Sequence, residues 1–360
     1  MEKIRVGIIG CGGIANGKHM PALKQLPEVE MTAFCDIIEE RAKKAAAEYG
    51  TPDAKVYTDY RELLKDESIH NVRVLTPNRL HAQISIDAMR AGKHVMCEKP
   101  MAMNYEQALE MRKVQEETGM VLTIGYQHKF DPDVVYAKKE ALKDRFGEIY
   151  FAKANVIRRR GVPTWGVFTQ EREQGGGSLI DIGTHALDIA LYLMDNYKPK
   201  MVLGTTYDKL KNQTETANPF GSWDPEHYDV EESAFGYVVM ENGATIILET
   251  SWALNTTDTA GIRYMICGTK GGADNYNGKF KINGIHNNTQ YIEEPDLKPG
   301  GVAFFEGQSA SPTVAEQKVF LDAAQGKGEL VTTPETAAVV SRILEGLYIS
   351  ARTGKAYYFE

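Results

Sequence analysis

Short apolar runs and longer helical segments alternate along the first 125 residues. The apolar runs are rich in β-branched residues, which is typical of buried strands, and the segments between them carry the Ala, Lys and Glu content of helices. The pattern predicts strands at 4–9, 29–35, 71–75, 94–97 and 120–124, with helices ending near residue 26 and spanning 39–49, 80–91 and 105–117. Strands separated by helices in this way predict a parallel sheet with right-handed crossovers.

After residue 125 the pattern changes to longer strand-like runs, with few helices before residue 312. The runs lie at 148–158, 230–240, 244–252, 263–267 and 279–282. Such a series predicts an α+β domain with a large, mostly antiparallel open sheet. We therefore predict an α/β fold of two domains, 1–126 and 127–360. The stretch 212–229 is predicted to be an inserted loop, either a lid or interface element or a segment without a function.

Charge and composition exclude several classes of partner. The chain has 360 residues, and 41 basic against 49 acidic side chains give a net charge of −8. Nucleic acid and anionic membranes need basic surfaces, so we expect neither as a partner. We expect no membrane span, since no apolar stretch reaches about 18 residues. The four cysteines lack the spacing of a metal or redox pair, and the first residues lack an apolar signal core, so a cytoplasmic protein is expected.

A glycine-rich turn directly follows the first predicted strand. Residues 10–15 read Gly-Cys-Gly-Gly-Ile-Ala, which fits the dinucleotide pattern G-x-G-x-x-G/A. Candidate cofactor-binding residues in this turn are Gly10, Gly12, Gly13, Ile14 and Ala15. Asp36 ends the second strand, where a carboxylate accepts from ribose hydroxyls and repels a 2′-phosphate, so we predict NAD rather than NADP, with Arg41 as the candidate phosphate partner otherwise. A structural glycine turn is the alternative.

Two further polar motifs follow predicted parallel strands, at the sheet edge where ligands bind. The first contains Thr76, Asn78 and His81, for which helix capping and a place on the helix surface are the alternatives. The second is Glu98-Lys99-Pro100. Lys99 beside a nicotinamide could hydrogen-bond the substrate oxygen and help move its proton, whereas a surface turn is the alternative.

Three titratable residues share one side of an apolar helical stretch after a run of three glycines. They are Asp181, His185 and Asp188. Titratable groups are costly to bury unless they are paired or functional, so His185 is a candidate general base and Asp181 its partner. A satisfied core histidine is one alternative. A metal site at Asp181 and His185 is another, but no third ligand at a sensible spacing is visible, so we expect no metal.

Together these motifs resemble the Gfo/Idh/MocA oxidoreductases, named for glucose–fructose oxidoreductase, inositol dehydrogenase and a rhizopine-catabolism protein. The resemblance implies a Rossmann NAD(P)-binding domain and a C-terminal domain for substrate and oligomer contacts. It implies a catalytic group of Lys99, Asp181 and His185, with Lys99 also contacting the nicotinamide ribose, and a cis Lys99–Pro100 bond. It also implies a set of cofactor contacts: Thr76, Asn78, His81, Glu98 and Gln127.

The expected function is NAD-dependent oxidation of a secondary alcohol of a sugar, cyclitol or glycoside by hydride transfer, with C3 of the sugar as one candidate position. Alternatives are an NAD-dependent redox glycosidase and a non-catalytic NAD-binding sensor. Arg158 and Trp165 are further candidate substrate-binding residues, since an indole offers a face on which sugars stack. A buried core indole is the alternative for Trp165. We expect a homodimer or homotetramer.

Overall fold

The structure is a computed structural model that describes residues 3–213, 215–297 and 311–360. By contacts between residues the chain divides into two units. The first comprises Met1–Phe130 with Ala310–Ala338, and the second comprises Asp131–Ser309 with Val339–Glu360. None of the helices in the described residues is long and apolar enough to cross a membrane.

The first unit contains a six-stranded parallel sheet in the order β3-β2-β1-β4-β5-β6. Its strands are β1 (Ile4–Ile9), β2 (Val29–Cys35), β3 (Lys55–Tyr57), β4 (Asn71–Val74), β5 (His94–Cys97) and β6 (Leu122–Ile124). The central strands are buried on both faces, as expected of a parallel sheet covered by helices. The strand order changes direction beside β1, which places the glycine turn at the point where such sheets bind ligands.

Helices connect these strands. They are α1 (Met20–Leu23), α2 (Glu39–Tyr49), α3 (Tyr60–Leu64), α4 (His81–Arg90) and α5 (Tyr105–Thr118), with a π-helix at Ala15–His19 and 3-10 turns at Asn78–Leu80 and Gln127–Phe130. The bounds of α5 follow from its ends. The side chain of Asn104 accepts from the Gln107 amide at the start, and Gly119 takes a left-handed conformation at the end.

A helix from the far end of the chain belongs to the first unit by its contacts. This helix, α9 (Pro312–Ala324), lies within the range 127–360 that the sequence assigns to the second domain. Its apolar side chains explain the difference, because they pack into the core of the first unit. The cluster consists of Val314, Phe320 and Leu321 with Ala22, Leu26 and Met96.

The second unit contains a nine-stranded sheet in the order β14-β13-β12-β11-β7-β10-β9-β8-β15. Its strands are β7 (Ile149–Ile157), β8 (Pro199–Tyr207), β9 (Ser233–Met240), β10 (Thr245–Ser251), β11 (Ala260–Gly268), β12 (Gly271–Asp274), β13 (Lys281–His286), β14 (Thr289–Glu293) and β15 (Tyr357–Tyr358). β7 and β10 pair in parallel, whereas the other neighbours pair antiparallel. The predicted fold class is confirmed.

One face of this sheet is covered by helices. The α-helices of the second unit are α6 (Pro132–Leu142), α7 (Glu171–Gln174), α8 (Thr184–Met194) and the part of α10 (Pro334–Thr353) beyond residue 338. A π-helix at Leu179–Gly183 directly precedes α8, and 3-10 turns lie at Pro225–His227 and Tyr276–Gly278. Alternate residues of β7, namely Ala152, Ala154 and Val156, are buried toward α8. The sheet therefore supports the helix that carries Asp181 and His185.

Candidate active site

The glycine turn after β1 has the backbone that its sequence predicts. Gly10 has a φ of +94°, and a Cβ there would lie 2.6 Å from the carbonyl oxygen of Leu75, so no other residue fits without strain. At Gly12 and Gly13 a Cβ would meet nothing within 4 Å. The outer side of the turn is therefore open to a close ligand, while Ala15 is fully buried at the start of the following helix.

That following helix begins as a π-helix rather than as the regular α-helix predicted. Its residue Asn16 donates side-chain hydrogen bonds to the carbonyl oxygens of Cys11 at 2.9 Å and Gly12 at 2.8 Å. π-Helical turns occur frequently at functional sites. Through these two hydrogen bonds the start of the helix holds the glycine turn.

Asp36 joins the end of β2 to the glycine turn. One carboxylate oxygen accepts from the Cys11 amide at 2.9 Å, and the other accepts from the Ile38 amide at 2.9 Å. Each carboxylate oxygen has a second lone pair, so this arrangement leaves capacity for ribose hydroxyls. Arg41 is exposed on α2, and Ile14 is 44% exposed. The open glycines, the helix start and the carboxylate fit the pyrophosphate and ribose of a dinucleotide.

His81, the first residue of α4, is buried between the loops that follow β4 and β5. It is 1% exposed, so a place on the helix surface is wrong. Its ring nitrogens lie 2.7 Å from the carbonyl oxygen of Pro100 and 2.8 Å from that of Thr76. Burial lowers the pKa of His81, against the effect of the two carbonyls. The ring thus ties the loop after β4 to the loop after β5, which favours a role in shaping the edge over direct cofactor contact.

Thr76 and Asn78 do not cap the helices that follow them. The residues at the capping positions are Pro77 and Leu80, and neither helix has a side-chain capping hydrogen bond. The capping alternative is therefore wrong. Asn78 is buried and Thr76 is half-buried at the carboxyl edge of the sheet, which leaves the predicted cofactor contact as a proposal.

Glu98 is the centre of a buried charged cluster. It is 5% exposed, so a surface turn is wrong. Its Oε1 lies 2.7 Å from Lys18 Nζ and 2.6 Å from His19 Nε2, and its Oε2 accepts from the Lys99 amide at 3.1 Å. Burial works to raise the pKa of Glu98, but the Lys18 charge and the hydrogen bonds from Lys18 and His19 hold the pKa well below its usual range. Glu98 is thus ionised.

Lys99 follows this cluster and is half-buried. The Lys99–Pro100 peptide is cis, as the resemblance implies. Lys18 Nζ also donates to Gln127 Oε1 at 3.0 Å. The structure thereby brings Glu98 and Lys99 of the Glu98-Lys99-Pro100 motif close to Gln127, a cofactor contact that the resemblance implies. Lys18 and His19 are partners that the sequence pattern did not indicate.

Asp181 and His185 lie on the second unit, at the junction of the π-helix with α8. Asp181 is half-buried, and its Oδ2 accepts from the indole nitrogen of Trp252 at 2.9 Å. Trp252 is fully buried just after β10. His185 is 8% exposed and Asp188 is 1% exposed. The indole therefore fixes one carboxylate oxygen of Asp181, four residues before the imidazole.

The helix that carries Asp181 is held by a buried carboxylate. Glu231 accepts from the Gly177 amide at 2.8 Å, the Leu179 amide at 2.9 Å and the Tyr348 hydroxyl at 2.9 Å. Burial raises the pKa of Glu231, which these hydrogen bonds oppose. A Cβ on Gly177 would collide with the Glu231 carbonyl oxygen, and one on Gly176 would collide with Tyr348. The glycine run is therefore required by this packing.

Sequence reasoning missed Glu231, Trp252 and Tyr348. Glu231 lies 54 residues from Gly177 and Trp252 lies 71 residues from Asp181. An acidic pair directly before an apolar strand, at Glu231 and Glu232, was the available signal. Nothing in the local pattern indicated which helix this carboxylate would hold.

Trp165 lies on the surface of the second unit. It is 52% exposed, so a core indole is wrong. Its ring packs edge-on against Phe220 at 4.8 Å and Phe168 at 5.8 Å between centroids. Arg158 is half-buried, and its Nη1 donates to the Gly161 carbonyl at 3.0 Å.

The inserted loop 212–229 is fastened beside Trp165. Asn218 accepts from the Val162 amide at 3.0 Å and donates to the Val162 carbonyl at 2.9 Å. Arg160 Nε donates to the Thr216 carbonyl at 3.0 Å. These bonds, together with the Phe220 ring, make the loop part of the surface around Trp165.

Comparison with known proteins identifies both parts of the chain. A model described as "Oxidoreductase family, NAD-binding Rossmann fold" matches residues 4–126. A model described as "Oxidoreductase family, C-terminal alpha/beta domain" matches residues 139–359. Both models belong to the Gfo/Idh/MocA family.

Individual relatives agree with this. The chain is 35% identical over 351 residues to D-glucoside 3-dehydrogenase of Escherichia coli, covering 98% of this chain and 96% of the relative. It is 29% identical over 236 residues to levoglucosan dehydrogenase of Pseudarthrobacter phenanthrenivorans, covering 62% and 59%. An oxidoreductase domain protein from Kribbella flavida has the same fold, with a TM-score of 0.85, 21% identity and full coverage of both chains. The chain is therefore an oxidoreductase that belongs to the Gfo/Idh/MocA family.

Proposed function

We propose that this oxidoreductase oxidises the C3 hydroxyl of a D-glucoside, with NAD as the hydride acceptor. The observation that carries the proposal is the match with D-glucoside 3-dehydrogenase, which extends over 98% of this chain at 35% identity. The fixed position of Asp181 supports the proposal. Trp252 bonds the Asp181 carboxylate and Glu231 bonds the start of its helix, so a fixed carboxylate precedes His185 by four residues.

The chemistry needs a base for the hydroxyl proton and an acceptor for the hydride. Bound NAD supplies the acceptor. Unprotonated His185 takes the proton from the hydroxyl while the carbon–oxygen bond becomes a carbonyl, so the products are a keto sugar, reduced cofactor and one proton. Asp181 orients the imidazole and stabilises it when protonated, and Trp252 keeps the Asp181 carboxylate in place.

Lys99 is the third member of the proposed catalytic group. Its role is to donate hydrogen bonds to the oxygen that is oxidised and to the nicotinamide ribose, as the family resemblance implies. Glu98 holds its backbone amide at 3.1 Å, which supports a fixed direction for this side chain.

Asp36 supports the choice of NAD over NADP. Its carboxylate stands at the end of β2 and bonds the glycine turn, where it would repel a 2′-phosphate. We expect Asp36→Ala to narrow the preference for NAD, measured as the ratio of kcat/KM for the two cofactors. A wild-type enzyme that already prefers NADP would contradict this assignment and would point to Arg41.

The proposed sugar contacts on the second unit are Trp165 and Arg158. Half of the Trp165 surface is exposed, and T-shaped contacts with Phe220 and Phe168 fix the orientation of the ring. The exposed part of the indole is then available for stacking on a sugar. The loop 212–229 then contributes to the choice of sugar through Phe220.

We also propose a homodimer or homotetramer that forms through the uncovered face of the nine-stranded sheet. On this face Leu203, Tyr207 and Tyr237 are 48%, 41% and 42% exposed, whereas Val202 and Val238 on the covered face are fully buried. Neighbouring apolar side chains of this size are typical of interfaces. Light scattering at micromolar concentration should give a multiple of the chain mass, and a monomer would contradict the proposal.

A panel of substrates with NAD and NADP tests the function. It should contain methyl α- and β-D-glucosides, free glucose, inositols and 4-nitrophenyl glucoside, with absorbance of reduced cofactor and release of nitrophenol followed together. A dehydrogenase gives reduced cofactor and a 3-keto glycoside, identified by NMR. Release of nitrophenol without net reduced cofactor would instead identify a redox glycosidase. Binding of NADH without turnover of any sugar would favour a sensor.

A further inference from the structure

Three neighbouring hydrogen bonds connect four buried side chains of the first unit in a single series, which we call the His19 chain. Arg73 Nε donates to Gln317 Oε1 at 2.7 Å, Gln317 Nε2 lies 2.9 Å from His19 Nδ1, and His19 Nε2 lies 2.6 Å from Glu98 Oε1. Arg73, His19 and Gln317 have no exposed surface, and Glu98 is 5% exposed. The residues come from β4, the π-helix, the end of β5 and α9, so only the folded unit assembles them.

The donors and acceptors of the His19 chain follow from its first member. A guanidinium only donates, so the side-chain oxygen of Gln317 must face Arg73. The amide nitrogen of Gln317 then faces His19 and donates to Nδ1. A neutral imidazole that accepts at Nδ1 carries its proton on Nε2, so His19 donates to Glu98.

The electrostatics of the cluster agree with this arrangement. Burial, together with the charges of Lys18 and Arg73, lowers the pKa of His19 to about 4, which keeps it neutral at neutral pH. Burial lowers the pKa of Arg73 to about 9. The guanidinium is therefore still protonated at neutral pH and donates to Gln317. The charged groups that act on His19 are Lys18, Arg73 and Glu98, and Lys18 also lies 3.6 Å from Glu316.

The two oxygens of Glu98 have different partners. Oε1 accepts hydrogen bonds from Lys18 and His19, whereas Oε2 accepts one from the backbone amide of Lys99 at 3.1 Å. Lys18 compensates the charge, but an ammonium group on a flexible stem does not fix the plane of a carboxylate. The terminal torsion of a glutamate has a broad distribution, so a directed second donor is needed to aim Oε2 at Lys99.

We propose that His19 and Gln317 are positioning residues for Lys99, acting through the plane of the Glu98 carboxylate. The inference deepens the proposed function, since it rests on the contact of Lys99 with the nicotinamide ribose. Loss of the Nε2 proton donor lets the Glu98 carboxylate turn, and the Lys99 amide loses its acceptor. A shift of this kind moves a side chain by a fraction of an ångström, which is enough to weaken a contact with a bound cofactor.

A double-mutant cycle on NADH binding tests this proposal without any sugar substrate. The variants are Lys99→Ala, His19→Leu, and the two combined, with NADH affinity measured by fluorescence and the melting temperature measured on the same samples. His19→Gln is the matched control, because a glutamine nitrogen can replace Nε2 as a donor to Glu98.

We expect His19→Leu to weaken NADH binding by about five- to tenfold, the worth of one directed hydrogen bond. In the Lys99→Ala background the same change should add less than about twofold, since residues that act through one another are not additive. His19→Gln should stay within about threefold of the wild type. Equal losses in both backgrounds, or equal losses for Leu and Gln, would overturn the proposal.

Gln317→Glu provides a second test if His19→Leu does not fold. The new carboxylate still pairs with Arg73 but cannot donate to His19, so neutral His19 places its proton on Nδ1 and loses the bond to Glu98. Doubly protonated His19 donates at both nitrogens and restores that bond. NADH affinity of this variant should therefore be low at high pH and recover as pH falls, and an affinity with the wild-type pH profile would contradict the proposal.

The outcomes separate this inference from the proposed function. If Lys99→Ala alone leaves NADH affinity unchanged, the assigned role of Lys99 is wrong. If Lys99→Ala weakens binding and neither His19→Leu nor Gln317→Glu does, the positioning role is wrong while the proposed function stands.

Discussion

The two units hold their candidate catalytic residues by different physical means. Under Lys99 the support is a cluster of ionised and neutral side chains around Glu98, reached from Lys18 and His19. Under Asp181 the support consists of backbone amides bonded to Glu231 and the indole of Trp252. The first arrangement depends on where protons reside, and the second depends on backbone shape and close packing.

Because of this difference, the two regions should be sensitive to different kinds of substitution. A change of charge or proton position should disturb the Glu98 cluster while a change of size should disturb the glycine run before Asp181.

The largest expected effect is that of His185→Ala. Removal of a positioned general base should lower kcat by about 10²- to 10⁴-fold, with NADH affinity and melting temperature nearly unchanged. The wild-type rate of oxidation should rise from acid to neutral pH, because only unprotonated imidazole accepts a proton. His286→Ala is the matched control, since His286 is exposed at the end of β13 on the same unit.

A folded His185→Ala enzyme with near-normal turnover would eliminate His185 as the base. A satisfied core histidine would instead give a lower melting temperature, with activity lost only in proportion to the folded fraction.

Glu316→Gln addresses the charges of the first unit. Lys18 lies 2.7 Å from Glu98 but 3.6 Å from Glu316, so its ion pair with Glu98 is the closer one. Burial raises the pKa of Glu316 to about 7. A carboxyl group with a raised pKa in the folded state stabilises the protein at pH below its unfolded value near 4.5, and this contribution is lost as pH rises through 7. The variant has no such loss.

The free energy of unfolding of Glu316→Gln, relative to wild type, should therefore increase between pH 5 and pH 8, by at most about 3 kcal/mol. Chemical denaturation of both proteins at several pH values measures it. A difference that is constant across this range, or that falls, would contradict a proton held on Glu316.

Gly177→Ala addresses shape in the second unit. Its Cβ would meet the Glu231 carbonyl oxygen, and overpacking of this kind costs about 1–3 kcal/mol. We expect a lower melting temperature and a lower kcat together, because the backbone that moves carries Asp181. Gly261→Ala is the control, since a Cβ there meets nothing within 4 Å. Equal stability of the two variants would show that the glycine run is not held in the described way.

The smallest expected effect is that of Trp252→Phe. It removes the 2.9 Å hydrogen bond to Asp181. A hydrogen bond to a charged group is worth about 1.5–3 kcal/mol, and we expect kcat to fall by about tenfold, which corresponds to the lower end of that range. Trp223→Phe is the comparison, because its indole bonds the Lys211 carbonyl at 2.8 Å instead. If both variants lose stability equally and neither loses kcat beyond the folded fraction, Trp252 has only a packing role.

The sequence predicted those parts of the fold that depend on local order. β1, β2, α2 and β5 have the predicted bounds, because apolar runs of β-branched residues and helix-forming segments are local signals. The short strand β3 and helix α3 were missed, since three half-exposed or exposed residues in β3 give no apolar run. The place of α9 depends on which apolar face it meets, and that is a contact between distant segments.

The candidate site divides in the same way. The glycine turn, Asp36, Glu98-Lys99-Pro100 and Asp181 with His185 were visible because each lies beside a recognisable strand or helix end. The partners that fix them, such as His19 and Trp252, come from elsewhere in the chain and were not visible. The two π-helical turns were missed as well. The pattern of apolar positions does not show whether backbone hydrogen bonds join residues four apart, as in an α-helix, or five apart, as in a π-helix.

Oxidation at C3 by hydride transfer to NAD can be tested by following the hydrogen on C3 of a glucoside. Methyl β-D-glucoside deuterated at C3 is incubated with enzyme and NAD, and the reduced cofactor is analysed by mass spectrometry together with the sugar product. We expect one deuterium in the reduced cofactor and a carbonyl at C3 of the product. Reduced cofactor without deuterium, with the label retained at C3, would contradict it.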